Sequence, residues 1–323
     1  MANRPVRMGR NTRVYSRQRI GGLLMVRTSY LDMLRQSATQ SGNCACMGLD
    51  PQLETLVDIS NDPRNKITSF FERLLSAMSS RGLIPAAFKP NLGFYSSLDR
   101  PLRNSFSGSL ALADVISLVR SHFNGIPIIL DSKRGDIARS SENYADEAFL
   151  AWEADAVTVS PFMGRDSIHP FEMAADGKRG VYVLNRTSNK SAVELQNSVI
   201  VDPVDEKELY PLYQSVAVLI SSWAAERPGT GAVVGAVSID ELQQIASWYA
   251  HKEIPMLIPG VGSQGASAAR TIEILRASSY DPVLARINSS SALTHPWKHG
   301  PAPDNWLDRC LTNIEALLKE TAL

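Results

Sequence analysis

The chain has 323 residues, of which 44% are hydrophobic and 20% are charged, and its 33 Lys and Arg balance its 33 Asp and Glu. This composition is that of a globular protein, and the net charge of zero argues against a nucleic acid or an anionic membrane as a partner. No apolar run approaches the roughly 18 residues that a membrane-spanning helix needs, so we expect no membrane partner of any kind.

The N-terminal 31 residues are strongly basic, with seven Arg and no Asp or Glu. Three interpretations stay open: a disordered leader, an Arg-rich transit peptide, and a true translation start at Met25. The segment lacks the long apolar region of a secretory signal. We expect a basic, disordered extension over residues 1–30, followed by one domain over residues 31–323.

Short apolar runs that close on polar, Gly or Pro residues recur along the rest of the chain. Such runs are typical of strands covered on both faces, as in a parallel sheet. They predict strands at residues 44–49, 86–89, 126–130, 156–159, 180–184, 232–236, 256–258 and 283–287. Segments of helical periodicity lie between them, for example at residues 67–79, 109–122, 142–153, 206–226, 239–250, 266–278 and 305–321.

Eight strands alternating with helices, without a composition break that would mark a linker, predict an α/β fold. We expect a single-domain (β/α)₈ TIM barrel with an N-terminal extension. A doubly wound open sheet is the alternative, but the even spacing of the units favours closure. The length beyond a usual barrel lies at the N-terminus and around residues 187–210.

The residues that follow each predicted strand are the candidates for a site, because barrel active sites are built at the C-terminal ends of the strands. Polar and charged groups follow almost every strand, which a set of unrelated solvated loops does not predict. They are Asp50, Lys89, Asn91, Asp131, Lys133, Asp136, Ser160 with Pro161, residues 185–187, residues 259–265 and residues 288–291.

The third predicted strand runs into the sequence ILDSKRGDI, residues 129–137. Side chains alternate along a strand, so Asp131 and Lys133 point to the same face. With Lys89 and Asp136 they predict a network of alternating charges, in which each charge is held by opposite neighbours. A structural ion-pair cluster at the barrel mouth is the alternative interpretation.

A glycine-rich sequence, Gly260-x-Gly262-x-x-Gly265, follows the seventh predicted strand. In barrels the loops after the seventh and eighth strands often hold a phosphate with backbone N–H groups. We therefore interpret it as a phosphate loop, to which Gln264 could add an amide donor. The alternative is a flexible glycine turn.

The three cysteines are Cys44, Cys46 and Cys310, and no CxxC pair occurs. Cys44 and Cys46 lie in a strand-like apolar run, which predicts two buried thiols rather than a metal or redox site. His295 and His299 have no Cys or acidic residue beside them to complete a metal site. We expect no metal, no cofactor, and a reducing, cytoplasmic location.

Residues 131–137, Asp-Ser-Lys-Arg-Gly-Asp-Ile, resemble the DxKxxD signature of the orotidine 5′-phosphate decarboxylase family, in its DxKRGDI form. The resemblance runs from about Met47 to Leu293. It is also carried by MGLDP (47–51), FKPNLGFY (88–95), VTVSPFMGRDSIHPF (157–171), VLNRTSN (183–189), GAVVGA (231–236) and PGVGSQG (259–265). A lone DxKxxD also occurs in related sugar-phosphate enzymes, which generally need magnesium and lack the FKPN and SPFMG sequences.

The resemblance implies a cofactor-free decarboxylation of orotidine 5′-phosphate to uridine 5′-phosphate in de novo pyrimidine biosynthesis. It implies a catalytic tetrad of Lys89, Asp131, Lys133 and Asp136, in which Lys133 protonates the C6 carbanion. It further implies a homodimer. The last Asp would act in the partner's site together with Ile137 and Ser140, where Ser140 replaces a usual Thr.

The resemblance also implies how the substrate is bound. Asp50 would hold a ribose hydroxyl, with Lys89 and Asn91 close by, and Ser160 would contact the pyrimidine edge beside Pro161. The phosphate would be held by Gln264 and by the backbone from Gly262 to Gly265. The loop after the last strand, with Ser290 and Ser291, would complete the phosphate site.

One position departs from the family pattern. The last strand usually ends in a sequence like NSSR, whose Arg binds the phosphate, whereas this chain has Ser291 in Asn288-Ser-Ser-Ser-Ala292. Another cation could substitute, and the candidates are Arg165, Arg186, His295 and Lys298. Otherwise activity would be reduced, so a nucleotide-binding pseudoenzyme or a relative with an altered substrate is the alternative function.

Overall fold

The computed structural model describes residues 28–57, 60–201, 209–262 and 264–323. The predicted extension over residues 1–30 therefore lies outside the described residues except at its last three positions. Tyr30 already belongs to a helix and is fully buried, so the folded domain includes the residue before the predicted boundary.

Ten strands occur in the described residues. They are β1 (Ala45–Gly48), β2 (Ala87–Lys89), β3 (Ile129–Arg134), β4 (Ala156–Val159), β5 (Gly180–Arg186), β6 (Val199–Val201), β7 (Leu209–Pro211), β8 (Thr230–Val234), β9 (Met256–Ile258) and β10 (Ala285–Ser289). The helices are α1 (Tyr30–Ser41), α2 (Pro63–Ser80), α3 (Leu92–Ser96), α4 (Ser107–His122), α5 (Ala138–Asp146), α6 (Arg165–Ala175), α7 (Ala192–Gln196), α8 (Leu212–Glu226), α9 (Ile239–Tyr249), α10 (Ala268–Ala277), α11 (Ser291–Thr294) and α12 (Trp306–Glu320).

Eight strands form one parallel sheet in the order β2-β1-β10-β9-β8-β5-β4-β3. Its two ends meet through parallel bridges between Phe88 and Ile128 and between Asn91 and Asp131. The sheet is thereby closed, and the predicted (β/α)₈ barrel is confirmed while the open doubly wound sheet is excluded. The remaining strands, β6 and β7, form a small antiparallel hairpin.

The barrel strands are apolar because helices cover one face and the barrel interior the other. Every residue of β1, β2, β4 and β8 is buried. In β3 burial stops after Asp131, and the last three residues are partly or fully exposed. This change marks where the strand leaves the core and reaches the mouth of the barrel.

Local signals explain where the helices begin. Helix α2 starts four residues before the prediction because Asp62 caps it, with its side chain accepting from the N–H groups of Arg64 and Asn65, and Pro63 fits the first helical position. Helix α1 starts at a complete capping box between Ser29 and Asp32.

Three elements differ from the helices predicted from periodicity. Helix α6, which has Pro170 in its interior, lies between β4 and β5, where we had named no helix. The predicted helix over residues 206–226 begins only at Leu212, since residues 209–211 form a strand and residues 206–208 lie outside the described residues. The predicted helix over residues 142–153 is α5 followed by one π-helical turn, Glu147–Ala151.

Helix α1 packs across the end of the barrel opposite the charged residues. Its Tyr30 hydroxyl donates to the Tyr182 hydroxyl at 3.0 Å. The guanidinium of the fully buried Arg286 donates to the Leu34 carbonyl and to the Ser37 hydroxyl, each at 2.7 Å. These bonds hold the first helix against the strands β5 and β10.

The three cysteines are free and buried, which confirms the prediction made for Cys44 and Cys46 and adds Cys310. Burial raises the pKa of each thiol to about 12. Across the described ranges, no helix combines the length and apolar character that crossing a bilayer requires.

Candidate active site

The charged cluster at the barrel mouth is centred on Asp131. Its Oδ2 accepts a hydrogen bond from Lys89 Nζ at 2.9 Å, and its Oδ1 accepts one from Lys133 Nζ at 2.6 Å. The bridge between Asn91 and Asp131, with the Asp131 N–H donating to the Pro90 carbonyl at 2.9 Å, sets the ends of β2 and β3 side by side. The strand register therefore brings these three sequence-predicted residues together.

The two lysines of this cluster stand in different surroundings. The side chain of Lys89 is 5% exposed and that of Asp131 is 8% exposed, whereas that of Lys133 is 47% exposed. Lys89 and Asp131 are thus both nearly buried, and Lys133 lies at the opening. The ammonium group of Lys133 is therefore the more accessible of the two to a molecule that enters the mouth.

Burial and the neighbouring charges shift the pKa values of these groups in opposite directions. Burial by itself raises the pKa of Asp131, but the ammonium groups of Lys89 and Lys133 outweigh it and hold that pKa well below its usual range. Burial likewise lowers the pKa of Lys89, and the carboxylates of Asp131 and Asp50 outweigh it and raise that pKa. Asp131 and Lys89 are therefore both ionised near neutral pH.

Thr158 on β4 is a fourth member of the cluster that sequence reasoning missed. Its hydroxyl donates to Asp131 Oδ1 at 2.8 Å and accepts from the N–H groups of Ser132 and Lys133 at 3.1 and 3.0 Å. It thus fixes both the carboxylate and the backbone that carries Lys133. The available signal was a hydroxyl residue within the apolar run Ala156–Val159, where a polar group needs partners.

The backbone at Lys133 is strained. Its φ is +47°, in the left-handed region that non-glycine residues rarely adopt. Such a conformation costs of order 1–3 kcal/mol and persists only where the surroundings enforce it. The two hydrogen bonds to Thr158 are the visible restraint, and the result is that the Lys133 side chain turns back toward Asp131.

Asp136 does not join the cluster of its own chain. No ion pair within 4.0 Å links it to a described residue, and its Oδ1 accepts from the neighbouring Ile137 N–H at 2.8 Å. Ile137 is 50% exposed, and Ser140 is exposed on the first turn of α5. The predicted network of four charges therefore comprises only Lys89, Asp131 and Lys133 within a single chain.

Ser160 and Pro161 follow β4 and are half-buried at the mouth. The Ser160 N–H donates to the Arg134 carbonyl at 2.7 Å, which fixes the end of β4 beside the end of β3. Arg134 itself turns outward, with Nε and Nη2 donating to the two oxygens of Glu147 at 3.1 and 3.0 Å. The end of β4 that carries Ser160 therefore lies beside the end of β3, and the Arg134 side chain is held by Glu147.

Asp50 is buried at the end of β1, where its Oδ1 accepts from the Asn91 N–H at 3.1 Å. The Asn91 side chain caps α3 by accepting from the Gly93 N–H at 3.0 Å. Asp50 also borders a cavity of about 190 Å³, which we call the β1–β10 cavity. It is lined by Asp50, Gln52, Phe94, residues 259–261, Gln264, Asn288, Ser290, Ser291 and His295.

The glycine loop after β9 uses positive φ at Gly260, Gly262 and Gly265, as a tight turn requires. The Gly262 N–H donates to the Ala266 carbonyl at 3.1 Å, and the Gly265 N–H donates to the Gly262 carbonyl at 3.0 Å. Two of the backbone donors that the sequence assigned to a phosphate are thus engaged within the loop. Gln264 lines the β1–β10 cavity, and Ser263 lies outside the described residues.

The four cations proposed to replace the missing Arg at Ser291 lie in different places. Arg165 pairs with Glu172 and Glu226 at 3.1 and 3.0 Å. Arg186 Nε lies 2.7 Å from Glu241 Oε2, and both are nearly buried.

Lys298 is exposed and does not line the β1–β10 cavity, whereas His295 and Ser291 both do. The structure thus leaves His295 as the one candidate among the four that borders the same cavity as Ser291.

Within the described ranges no group of three or more His, Cys, Asp or Glu side chains is arranged to hold a metal ion. The donor set of the cluster is two ammonium groups, a carboxylate and a hydroxyl. Ammonium groups repel a cation, so this arrangement is suited to stabilise negative charge on a bound molecule.

Comparison with known proteins gives a consistent result. The model of the "Orotidine 5'-phosphate decarboxylase / HUMPS family" matches residues 46–272. The orotidine 5′-phosphate decarboxylase of Herpetosiphon aurantiacus is 36% identical over 236 residues, covering 73% of this chain and 80% of that protein. That of Verminephrobacter eiseniae is 35% identical over 269 residues, covering 83% and 90%.

Solved structures agree with the sequence comparisons. A putative orotidine-monophosphate decarboxylase from Toxoplasma gondii superposes with a TM-score of 0.72 at 25% identity, covering 92% of this chain and 98% of that one. Leishmania donovani UMP synthase superposes with a TM-score of 0.69 at 29% identity, covering 90% of this chain and 57% of that one.

Proposed function

This chain belongs to the orotidine 5′-phosphate decarboxylase / HUMPS family and decarboxylates orotidine 5′-phosphate to uridine 5′-phosphate in pyrimidine biosynthesis, and we propose that Lys89, Asp131 and Lys133 carry the reaction. The observation that supports these roles is the shared carboxylate: Asp131 lies 2.9 Å from one ammonium group and 2.6 Å from the other. No observation favours the alternative of a pseudoenzyme.

The first step is charge repulsion in the bound substrate. The substrate carboxylate would lie beside Asp131, whose lowered pKa keeps it ionised when the site is closed. Two like charges about 4 Å apart repel by roughly 4 kcal/mol at an effective dielectric of 20. Loss of CO₂ leaves the electron pair of the C–C bond on C6, so the substrate's negative charge moves from the carboxylate to C6 and the repulsion between the two carboxylates is relieved as the bond breaks.

The second step is stabilisation of the negative charge that remains on C6. Lys133 is the accessible ammonium group and stands at the mouth on a restrained backbone. It would stabilise the carbanion electrostatically and then transfer a proton to C6. Lys89 is buried beside Asp131 and would keep that carboxylate ionised throughout.

The other predicted residues receive binding roles in this proposal. Asp50 and Asn91 would hold the ribose, Ser160 and Pro161 would border the pyrimidine, and Gln264 and Ser290 would meet the phosphate end. Asp50, Gln264 and Ser290 share the β1–β10 cavity, which supports one binding surface from Asp50 to α11. The N–H groups of Gly262 and Gly265 would have to break their hydrogen bonds within the loop before they could bind the phosphate.

We also propose a homodimer in which Asp136, Ile137 and Ser140 complete the site of the partner subunit. Asp136 has no ion pair to the Lys133 of its own chain among the described residues, and the neighbouring surface is apolar. Ile137 is 50% exposed, Phe162 is 80% exposed and Met163 is 43% exposed. Exposed apolar side chains next to a site are typical of an interface.

Complementation tests this arrangement. Lys133→Ala and Asp136→Ala homodimers should each be nearly inactive, and mixing them under exchange conditions should restore activity. A hybrid dimer has one site with both native residues, so random exchange should recover about a quarter of the native rate. No recovery after verified exchange would place Asp136 in its own chain's site, and an active Asp136→Ala homodimer would place it outside the machinery.

The chemistry is tested directly by the loss of orotidine 5′-phosphate absorbance. Lys133→Ala should lower kcat by at least about a hundredfold, because a positioned acid contributes about 10²–10⁴-fold. Lys178→Ala, which removes an exposed lysine paired with Asp176, is the matched control. Retained turnover in Lys133→Ala would contradict the assignment.

The proposal is of a cofactor-free enzyme of the cytoplasm. Full activity in the presence of a chelator would exclude a magnesium-dependent sugar-phosphate lyase of the same family, whose chemistry needs the ion. The buried reduced thiols support a reducing compartment.

A further inference from the structure

The β1–β10 cavity would bring two negatively charged groups together if it held the phosphate end of the substrate. Its described lining contains the carboxylate of Asp50 and no Lys or Arg. A phosphate monoester is nearly a dianion at neutral pH. Bound there without a cation, it would face a like charge in a partly desolvated site, and the N–H groups of Gly262 and Gly265 are engaged within their own loop, so a positive charge on a lining group would stabilise it.

His295 is the lining group that can gain a proton near neutral pH. It is 3% exposed, and it follows α11, four residues after Ser291. Its Nδ1 lies 2.9 Å from the Thr294 hydroxyl, whereas its Nε2 is buried without a hydrogen-bond partner among the described residues. A buried polar atom left without a partner next to a cavity indicates a ligand that completes it.

We infer that protonated His295 binds the substrate phosphate in place of the Arg that family members carry at the position of Ser291; this inference rests on the proposed function. Nδ1–H donates to the Thr294 hydroxyl, which fixes the ring, and Nε2–H donates to a phosphate oxygen. Gln264 and Ser291 line the same cavity and add neutral donors.

The groups around His295 determine whether the ring takes up or releases a proton when the phosphate binds. Burial lowers the pKa of His295 below its ordinary value, while Asp50 and Glu54 act in the opposite direction. Cys310 on α12 contacts the Thr294 carbonyl at 3.5 Å and stays neutral, since burial raises its pKa to about 12. The free ring is therefore mostly neutral at pH 7, and a bound dianion raises its pKa, so binding takes up a proton.

This coupling gives the binding a specific dependence on pH. Above about pH 7 the phosphate is already a dianion, so only the protein changes its protonation. The affinity for uridine 5′-phosphate should fall by up to about tenfold per pH unit from pH 7 upward, until the pKa of the bound state is passed. A permanent guanidinium would show no such fall.

The test is calorimetric binding of uridine 5′-phosphate and of uridine to four forms of the full chain. His295→Gln should lose about tenfold to a hundredfold in affinity for the nucleotide, the range for a charged hydrogen bond, and should lose the pH dependence. His299→Gln, which removes an exposed His four residues on, is the matched control and should bind like the native chain. Adding Ser291→Arg to His295→Gln should restore affinity without restoring the pH dependence, which shows that the variant is folded.

Uridine separates a phosphate role from a ribose role, because it lacks the phosphate and should bind equally to all four forms. Equal losses for uridine and the nucleotide, or equal affinity of His295→Gln and His299→Gln, would overturn the inference. Either result leaves the decarboxylation of the native chain in place. Absence of turnover in the native chain would instead refute the proposed function.

Discussion

Thr158→Val should damage both the stability and the chemistry of the site, although valine has nearly the shape of threonine. The change removes the 2.8 Å bond to Asp131 and leaves the N–H groups of Ser132 and Lys133 without their acceptor. Each buried group left unsatisfied costs about 1–3 kcal/mol. Because these groups are partly buried, we expect a loss of about 2–4 kcal/mol in the free energy of unfolding.

The kinetic effect follows from the backbone at Lys133, whose φ of +47° is held by the same hydroxyl. Once released, the strained residue should relax and move its ammonium group away from the reacting carbon. A displacement of about 1 Å can cost a hundredfold. We therefore expect kcat to fall by about ten- to a hundredfold, with a smaller change in KM.

Thr158→Ser is the control, because it keeps the hydroxyl and removes only a methyl group. Turnover by absorbance and unfolding in denaturant should both return close to native values in this variant. If Thr158→Val keeps native kcat and native stability, the hydroxyl is not the restraint on Lys133. The explanation of its positive φ would then be wrong.

Three further outcomes are expected. The free energy of unfolding should decrease as the pH falls from about 5 to 2, because the pKa of Asp131 is lower in the folded than in the unfolded chain, and Asp131→Asn should flatten this slope. Gly48→Ala should raise KM in the turnover assay, because its methyl group would lie 1.8 Å from the Ser290 hydroxyl and push the lining of the β1–β10 cavity. The three thiols should react with a disulfide reagent only at the rate of unfolding, because burial raises their pKa to about 12 and no solvent reaches them.

The barrel could be predicted from the sequence because its strands have a simple physical cause. A strand covered on both faces must be apolar throughout, and runs such as Ala156–Val159 show this without any knowledge of their neighbours. Helix α6 could not be found in the same way. Pro170 removes a backbone donor from its interior, so the local signal argues against the helix that tertiary packing enforces.

The sequence predicted only those site residues whose positions follow from the ends of the strands. Lys89, Asp131 and Lys133 lie on neighbouring strands, so the barrel geometry alone brings them together. Asp136 lies past the strand end on a turn, and its direction depends on the local backbone, where Ala138 has a φ of +48°. His295 was one of four candidate cations, and only the packing of α11 against α12 and β1 distinguishes it.

The unequal burial of the two lysines explains how Asp131 can stay ionised although the charge of Lys133 changes during turnover. If Lys133 gives its proton to the substrate carbon, it loses the positive charge that it offers to Asp131. Asp131 nevertheless stays ionised, because Lys89 at 2.9 Å and the Thr158 hydroxyl at 2.8 Å remain in place. The carboxylate can then attract the next proton to Lys133 and restore the starting state. A cluster with only one lysine would lose its charge balance in each turnover, so in the proposed mechanism the buried Lys89 is needed for the exposed Lys133 to act.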